Sequence, residues 1–220
     1  SGAAIAGGVG DPYDQPKAIS TVSKDEINQF GGQNLDNALR AEPGVFTHDN
    51  PQKPGVAVNI RGLDSYGRVT VASDGARQDF RFTGHDAAGM TFVDPALLSG
   101  VDITRGSTDG VGGGGALAGV ANFRTLGIDD LITGGKNWGA EVSETAGTNG
   151  DGFSEMAAGA FRVNDTFAIL GAVSKRNNFD YANGTGTIVQ NTGQDILSGL
   201  LKTEITPSAD QKITLSGLIY

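Results

Sequence analysis

Five runs of alternating apolar and polar residues fill the chain after residue 137, and this period of two constrains the fold more than any other feature. The runs are Trp138–Thr145, Phe153–Val163, Phe167–Arg176, Asp195–Thr206 and Lys212–Tyr220. Alternation predicts β-strands, and a tilted strand crosses a membrane with roughly 9 to 11 residues. In the second run Phe153, Ala157, Gly159, Phe161 and Val163 share one face, so the sequence predicts strands with one apolar face.

The connections between these runs alternate in length. Asn164–Asp165 and Pro207–Asp210 are short turns, whereas 146–152 and 177–194 are longer polar segments. Short turns at one end and long loops at the other are typical of an outer-membrane β-barrel. No stretch approaches the roughly 18 to 20 consecutive apolar residues of a membrane-spanning helix, so we expect this chain to meet a membrane through strands.

Charge and residue types exclude several classes of function. Sixteen Lys and Arg against 25 Asp and Glu give a net charge of −9, which argues against a nucleic-acid partner. The chain has no cysteine, which excludes disulfides, a thiolate nucleophile and cysteine-based metal sites. No Gly-x-Ser-x-Gly or His-Glu-x-x-His motif is present, and His48 and His85 lie 37 positions apart. We therefore expect no enzyme.

The residues before 132 follow a different pattern, in which short strands alternate with short helices. Residues 1–12 lack periodicity, and we expect a flexible leader. Ala18–Val22 favours a strand, and Ser23 with Glu26 forms a capping box that predicts a helix start. A second helix is predicted from about Asn34, with Pro43 stopping it.

The stretch Asn59–Gln78 predicts a two-stranded unit that closes on the tight-turn dipeptide Asp74–Gly75. Arg61 and Arg68 stand among apolar residues there, so both are expected to be buried and paired. Further on, Asp94 is expected to cap a short helical turn that Gly100 ends.

Five short motifs in a fixed order carry a resemblance to a known family. They are Ile60–Arg61–Gly62, Val71–Gly75, Asp94–Leu98, Val101–Gly106 and Ala121–Thr125. This order resembles the plug domain of TonB-dependent outer-membrane receptors. The resemblance implies an α+β plug domain, a small mixed β-sheet with short helices, over 13–131. It implies antiparallel transmembrane β-barrel strands over 132–220, and we expect an N-terminal fragment of a 22-stranded plugged barrel.

In the resembled family, plug arginines at the positions of Arg61 and Arg105 pair with glutamates on the inner wall of the barrel. The candidate partners here are Glu141, Glu144 and Glu155. A role in gating and a role in stability alone both remain open, because buried ion pairs support either.

The resemblance is closest to receptors that take haem from haemophores or haemoproteins, where a plug-loop histidine ligates the haem iron. It implies this role for His85, with a second ligand expected beyond Tyr220. Phe80, Phe82 and Met90 are candidates for an apolar haem pocket or for plug core, and Phe92 for core on a short strand. His48, in a polar turn-like run, is expected to be a solvated loop residue. Haem enters as the transported ligand, with no intrinsic cofactor.

The family also implies the TonB energising complex and outer-membrane lipid as partners, and the bacterial outer membrane as location. A ferric siderophore is the alternative substrate. From other classes, a soluble nucleotide-binding enzyme would use the glycine cluster at 110–119, and an adhesin-like protein would use the alternating runs. The glycine signal is weak because no Lys-Ser or Lys-Thr follows it.

Overall fold

The computed structural model describes residues 18–30, 35–50, 52–64, 67–78, 90–108, 114 and 116–220. The chain forms two compact units, Ser1–Thr125 and Leu126–Tyr220. The expected leader at 1–12 lies outside the described residues, as do residues 110–113 and 115 of the glycine cluster at 110–119. No helix within the described ranges is long and apolar enough to cross a membrane.

Sixteen helices and strands and one 3₁₀ turn are assigned among the described residues. In the first unit these are β1 (Ala18–Ser23), α1 (Lys24–Gln29), α2 (Leu35–Arg40), β2 (Val45–Asn50), β3 (Lys53–Ile60), β4 (Val69–Ser73), β5 (Ala76–Arg77), β6 (Met90–Thr91), the 3₁₀ turn Pro95–Leu97, β7 (Leu98–Arg105) and β8 (Gly119–Thr125). In the second unit these are α3 (Ile128–Leu131), β9 (Trp138–Gly147), β10 (Gly152–Arg162), β11 (Phe167–Asn178), β12 (Gln194–Ser208) and β13 (Gln211–Ile219).

A mixed five-stranded sheet with the order β1-β7-β8-β4-β5 forms the centre of the first unit. Only the β4–β8 pairing is parallel, while β1–β7 and β7–β8 are antiparallel. Its central strands bury Val101, Ile103, Ala121 and Phe123 completely. The expected α+β unit with a small mixed sheet and short helices is confirmed.

Both short helices begin where local signals predict. The Ser23 side chain accepts from the Glu26 N–H at 3.3 Å, and the Glu26 carboxylate accepts from the Ser23 N–H at 2.7 Å. These bonds from the Ser23 backbone and side chain lower the pKa of Glu26 below its ordinary 4.5. The stabilisation is therefore present above pH 4.5 and is lost as the pH falls through the lowered value. In α2, Leu35, Ala38 and Leu39 are buried.

The stretch Asn59–Gln78 is not a two-stranded unit, because its two strands belong to different sheets. β3 pairs with β2 and β6, whereas β4 pairs with β5 and β8. The expected burial of Arg61 and Arg68 is also wrong, since both are exposed; each lies next to a glycine turn at a strand end. The tight turn is confirmed, with positive φ at Asp74 (47°) and Gly75 (81°).

The predicted cap at Asp94 is confirmed, since its carboxylate accepts from the Ala96 N–H at 3.0 Å. Gly100, however, does not end the helical turn. It lies inside β7, which already begins at Leu98. A Cβ at position 100 would lie 2.7 Å from both Arg124 Nη2 and the Val22 carbonyl oxygen, so the glycine serves a close approach between strands.

The second unit is an antiparallel meander, in the order β9-β10-β11-β12-β13. Alternation gives it two faces. The face here called polar carries buried residues that include Ser154, Ser174, Arg176, Ser198 and Lys202. The opposite face, here called apolar, carries the exposed side chains Val142, Phe153, Phe161, Val173, Leu197 and Leu201. Polar inside and apolar outside is the pattern of an outer-membrane strand.

The connections at one end of this sheet are tied together. The β9–β10 connection is a four-residue turn, 148–151, because β9 extends to Gly147; the predicted longer loop at 146–152 is wrong. Asn149 Nδ2 donates to the Ala182 carbonyl at 3.0 Å, and the Ala182 N–H donates to Asn149 Oδ1 at 2.8 Å. The Phe179 N–H donates to the Gly150 carbonyl at 2.7 Å. We call these contacts the loop clamp.

The neck of the β11–β12 loop is closed by Asp180. Its carboxylate accepts from the Gly193 and Thr192 N–H groups, each at 2.8 Å. These backbone bonds lower the pKa of Asp180 below its ordinary 3.8. The carboxylate is therefore ionised at neutral pH, and the stabilisation from these bonds is present above pH 3.8 and is lost as the pH falls through the lowered value.

Helix α3 packs against the other end of the meander. A Cβ at Gly139 would lie 1.9 Å from the Leu131 carbonyl oxygen, so only glycine fits beneath the helix. Arg162 Nη2 also lies 2.7 Å from Asp129 Oδ1. The helix contacts β9, β10 and β11, so it belongs to the second unit, which begins at Leu126. The sequence had suggested that the first domain extends to residue 131.

Candidate functional site

The small antiparallel sheet β2-β3-β6 has one face that carries aromatic and small residues. Phe46 and Phe92 are 56% and 38% exposed, and Phe92 lies just beyond β6, so its expected place in the core on a strand is wrong. Its ring stands over Gly55, where a Cβ would lie 3.0 Å from Phe92 Cε1. In the middle of the same face, Ala57 of β3 lies between β2 on one side and Met90 of β6 on the other. We call this surface the β2-β3-β6 face.

His48 is not a loop residue, as the polar run around it predicted. It lies in β2 and is paired in register with Ala57, and Ala57 is paired with Met90. The polar, turn-forming residues that follow His48 suggested a loop. The strand β2 nevertheless continues to Asn50, and the hairpin turns only after that residue. His48 is thus held by a strand ladder.

The residues predicted to bind haem divide into two groups. His85, Phe80 and Phe82 lie outside the described residues, so their roles stay predictions. Met90 is described and is 4% exposed in β6, where it borders the β2-β3-β6 face. Within the described residues, no group of three or more His, Asp or Glu side chains is arranged to hold a metal ion.

The two motif arginines differ in their surroundings. Arg105 Nη2 lies 3.2 Å from Glu42 Oε2, its Nε donates to the Pro43 carbonyl at 3.0 Å, and its side chain is 9% exposed. Arg61 is exposed with φ at 53°, and its N–H donates to the Gly44 carbonyl at 2.8 Å. Arg105 therefore fastens the α2–β2 connection to the end of β7.

A third arginine, to which sequence reasoning assigned no role, forms an ion pair with a largely buried aspartate in the first unit. Arg124 Nε lies 2.9 Å from Asp102 Oδ2, and Asp102 Oδ1 accepts from Thr21 Oγ1 at 3.0 Å. The network joins β1, β7 and β8 across one face. The sequence could not show it, because it depends on the register that sets Gly100 opposite Arg124.

The candidate glutamates of the second unit lie on two different faces. Glu141 is paired with Ala158, which is buried on the polar face. Glu144 and Glu155 face each other across β9 and β10 on the apolar face. Their expected place on an inner wall is therefore wrong, since alternation puts them on the side of Phe153. The arginine pairing stays a prediction, now for Glu141 alone.

A mixed-sheet α+β unit followed by a two-faced antiparallel meander is the architecture of a plugged outer-membrane barrel protein. Residues 11–120 match the family described as TonB-dependent Receptor Plug Domain. The chain belongs to the TonB-dependent receptors, proteins of the bacterial outer membrane.

Relatives and solved structures agree with this family. The chain is 35% identical over 200 residues to a probable TonB-dependent receptor of Haemophilus influenzae, a match that covers 85% of this chain. It is 32% identical over 158 residues to a hemin receptor of Yersinia enterocolitica, a match that covers 72% of this chain. The chain spans 22% of the length of each of these relatives.

Among solved structures, a double mutant of the Serratia marcescens hemophore receptor HasR, in complex with its hemophore HasA and heme, matches with a TM-score of 0.86. The identity is 34%, and the match covers 94% of this chain and 32% of that one. The FrpB iron transporter of Neisseria meningitidis matches with a TM-score of 0.76 and 26% identity, over 92% of this chain and 32% of that one. These proteins are receptors and transporters.

Proposed function

We propose that this protein takes part in TonB-dependent active transport of haem across the bacterial outer membrane, and that it receives haem from a haemophore or haemoprotein. The observation that carries the proposal is the joint similarity of both units to a receptor solved with a hemophore and heme. Receptors named for hemin, heme and hemophilin are further relatives.

The proposal assigns the chain a role in binding and transport and none in catalysis. The enzyme alternative requires helices between strands after Gly115, whereas β8 is followed by the four-residue α3 and then by five consecutive strands. The adhesin alternative leaves the match over residues 11–120 without an explanation. Haem is the cargo in this proposal, and His85 remains the proposed iron ligand from the 79–89 segment, with Phe80 and Phe82 beside it.

The proposed partners follow from the same family membership. The TonB complex of the inner membrane supplies energy, and outer-membrane lipid covers the apolar face of β9–β13. The exposed side chains Val142, Phe153 and Leu201 of that face support the lipid contact, because such a surface is costly in water. We also propose that Arg61 and Arg105 pair with Glu141.

The test is growth of iron-starved bacteria that express the receptor, with haem as the sole iron source. Growth should require both the receptor and TonB, and the Soret band of haem should shift when haem binds to the receptor purified from outer membranes. Growth on a ferric siderophore without growth on haem would favour the siderophore alternative. In the same uptake assay, unchanged transport by an Arg61→Leu, Arg105→Leu receptor would remove a gating role for these arginines.

A further inference from the structure

We infer that the Asn183–Gly184 peptide, at the tip of the β11–β12 loop, is a site of spontaneous deamidation, and that the fold protects a second Asn-Gly peptide, Asn149–Gly150. This inference goes beyond the proposed function and does not depend on it. The chain contains these two Asn-Gly dipeptides, and asparagine is a chemically labile residue. Because glycine has no Cβ, its amide nitrogen reaches the preceding side chain with little hindrance.

The reaction consumes water and releases ammonia. The Gly184 nitrogen loses its proton to water and attacks Cγ of Asn183, and an electron pair of the C=O bond moves onto Oδ1. The Cγ–Nδ2 bond then breaks, ammonia leaves with a proton taken from water, and a cyclic succinimide remains. Water opens either carbonyl of this ring and yields aspartate or isoaspartate, with no change of oxidation state. Oδ1 therefore carries the negative charge of the first intermediate.

Three donors converge on Oδ1 of Asn183. The N–H groups of Thr185 and Thr187 each donate to it at 3.0 Å, and Thr185 Oγ1 donates to it at 2.7 Å. Donors that are already fixed around an oxygen stabilise the negative charge that develops there, as in an oxyanion hole. The same bonds hold Cγ next to the following peptide, which favours attack by its nitrogen.

The attacking and leaving groups of this peptide are open to water. Asn183 and Gly184 are both exposed, and a Cβ at Gly184 would meet nothing within 4 Å. Within the part of the chain that the structure describes, neither Asn183 Nδ2 nor the Gly184 N–H has a hydrogen-bond partner. The nucleophile and the leaving amide therefore react without first breaking a bond to the protein.

The second Asn-Gly peptide is held by the loop clamp. Asn149 Nδ2 donates to the Ala182 carbonyl at 3.0 Å, and Asn149 Oδ1 accepts from the Ala182 N–H at 2.8 Å. Gly150 is enclosed as well, since a Cβ there would lie 2.8 Å from both the Phe179 carbonyl oxygen and Tyr181 Cβ. Attack at Asn149 thus requires the clamp to open, and we expect this site to react slowly.

The two products have different effects on the loop. Aspartate keeps a carboxylate oxygen among the same three donors, and these bonds become charge-assisted and stronger. Isoaspartate instead routes the main chain through the side-chain carbon and lengthens the segment between Ala182 and Ile188, which form a bridge. Deamidation therefore adds a negative charge to the loop tip in both products and disturbs the hairpin in only one.

The test is peptide mapping by mass spectrometry of the receptor purified from outer membranes, after incubation at mildly alkaline pH in heavy-oxygen water. The incorporated heavy oxygen identifies each converted residue. In the native receptor, Asn183 should convert at least about tenfold faster than Asn149, since oxyanion donors contribute at least that much to acyl-transfer rates. In unfolded peptides of the same receptor the two rates should be similar, because both asparagines are followed by glycine.

Thr185→Ala removes the hydroxyl donor and should slow the conversion of Asn183 by about tenfold. Thr185→Ser keeps the hydroxyl and is the matched control, with an unchanged rate. Conversion of Asn149 as fast as that of Asn183 in the native receptor would overturn the inference, and so would an Asn183 that reacts only in the unfolded peptide. Faster conversion in Thr185→Ala would show that the three bonds protect the side chain, which would overturn their role as oxyanion donors.

Discussion

At the residue scale, the carboxylate of Asp102 connects β7 to both of its neighbouring strands. It binds Arg124 from β8 and Thr21 from β1, and its own side chain is 9% exposed. A buried charge costs several kcal/mol unless it is paired and hydrogen-bonded, so both partners are needed. β1 is an edge strand with a single pairing, to β7. The hydrogen bond from Thr21 to Asp102 is therefore a side-chain bond that adds to the backbone hydrogen bonds between β1 and β7.

Asp102→Asn should loosen β1. Loss of a charged, largely buried acceptor removes about 1.5 to 3 kcal/mol, so the amides of Ala18–Ser23 should exchange with deuterium about ten to a hundred times faster in the intact receptor. Asp129→Asn is the control, because its pair with Arg162 is solvent-exposed and such pairs contribute about 1 kcal/mol or less. Equal exchange in β1 for both variants would show that the ladder alone holds the strand.

At the scale of elements, glycines decide where strands and helices approach each other. Gly139 lies under α3, where a Cβ would meet the Leu131 carbonyl oxygen at 1.9 Å. Gly171 lies on the apolar face of β11, and a Cβ there would meet nothing within 4 Å. Both are glycines within strands of the meander, but of the two only Gly139 has a steric reason to be glycine.

Gly139→Ala should destabilise the packing of α3 on β9 by about 1 to 3 kcal/mol, since the helix or the strand must shift. Gly171→Ala should stay within about 0.5 kcal/mol of the unsubstituted protein. The measurement is the temperature at which the folded gel band of the receptor converts to the unfolded one. A Gly171 variant as unstable as the Gly139 variant would contradict this assignment.

Local signals predicted the elements well, whereas tertiary pairing decided what the sequence missed. Alternation, the Ser23–Glu26 capping box and the Asp74–Gly75 turn each involve neighbours in the chain, and all three are confirmed. The burial of Arg61 and the loop position of His48 were wrong because strand pairing, not residue type, determines them. The Asp102–Arg124 pair was missed for the same reason, and the role of His85 stays a prediction.

At the scale of the whole molecule, the two units differ in where they place their large apolar side chains. The first buries Phe123, Leu97 and Ile103 inside itself, as a water-soluble domain does. The second presents large apolar side chains outward and keeps Ser198 and Lys202 on its buried, polar face. The lipid contact proposed above requires this face to lie in the bilayer, where removal of its apolar surface from water lowers the free energy.

Val142→Arg tests that requirement. Val142 is 81% exposed on the apolar face, and an arginine on the lipid side of such a sheet costs about 2 to 4 kcal/mol near the bilayer centre. We expect a clear fall in the fraction of receptor that is folded in outer membranes, measured by its heat-shifted band. Thr148→Arg, at the exposed turn after β9, should assemble normally. Normal assembly of the Val142 variant would mean that this face is not in lipid.

The loop clamp has a consequence for how antibodies bind the receptor. Because Asn149 from one connection holds Ala182 of the next, the two segments present one shared epitope rather than two. A synthetic peptide of residues 179–193 lacks Asn149, which bonds to Ala182 in the receptor. Antibodies raised against that peptide should therefore bind the native receptor poorly. A binder that targets these two segments would have to match both at once, and an exchange at position 149 would allow escape by removing the bonds that hold Ala182.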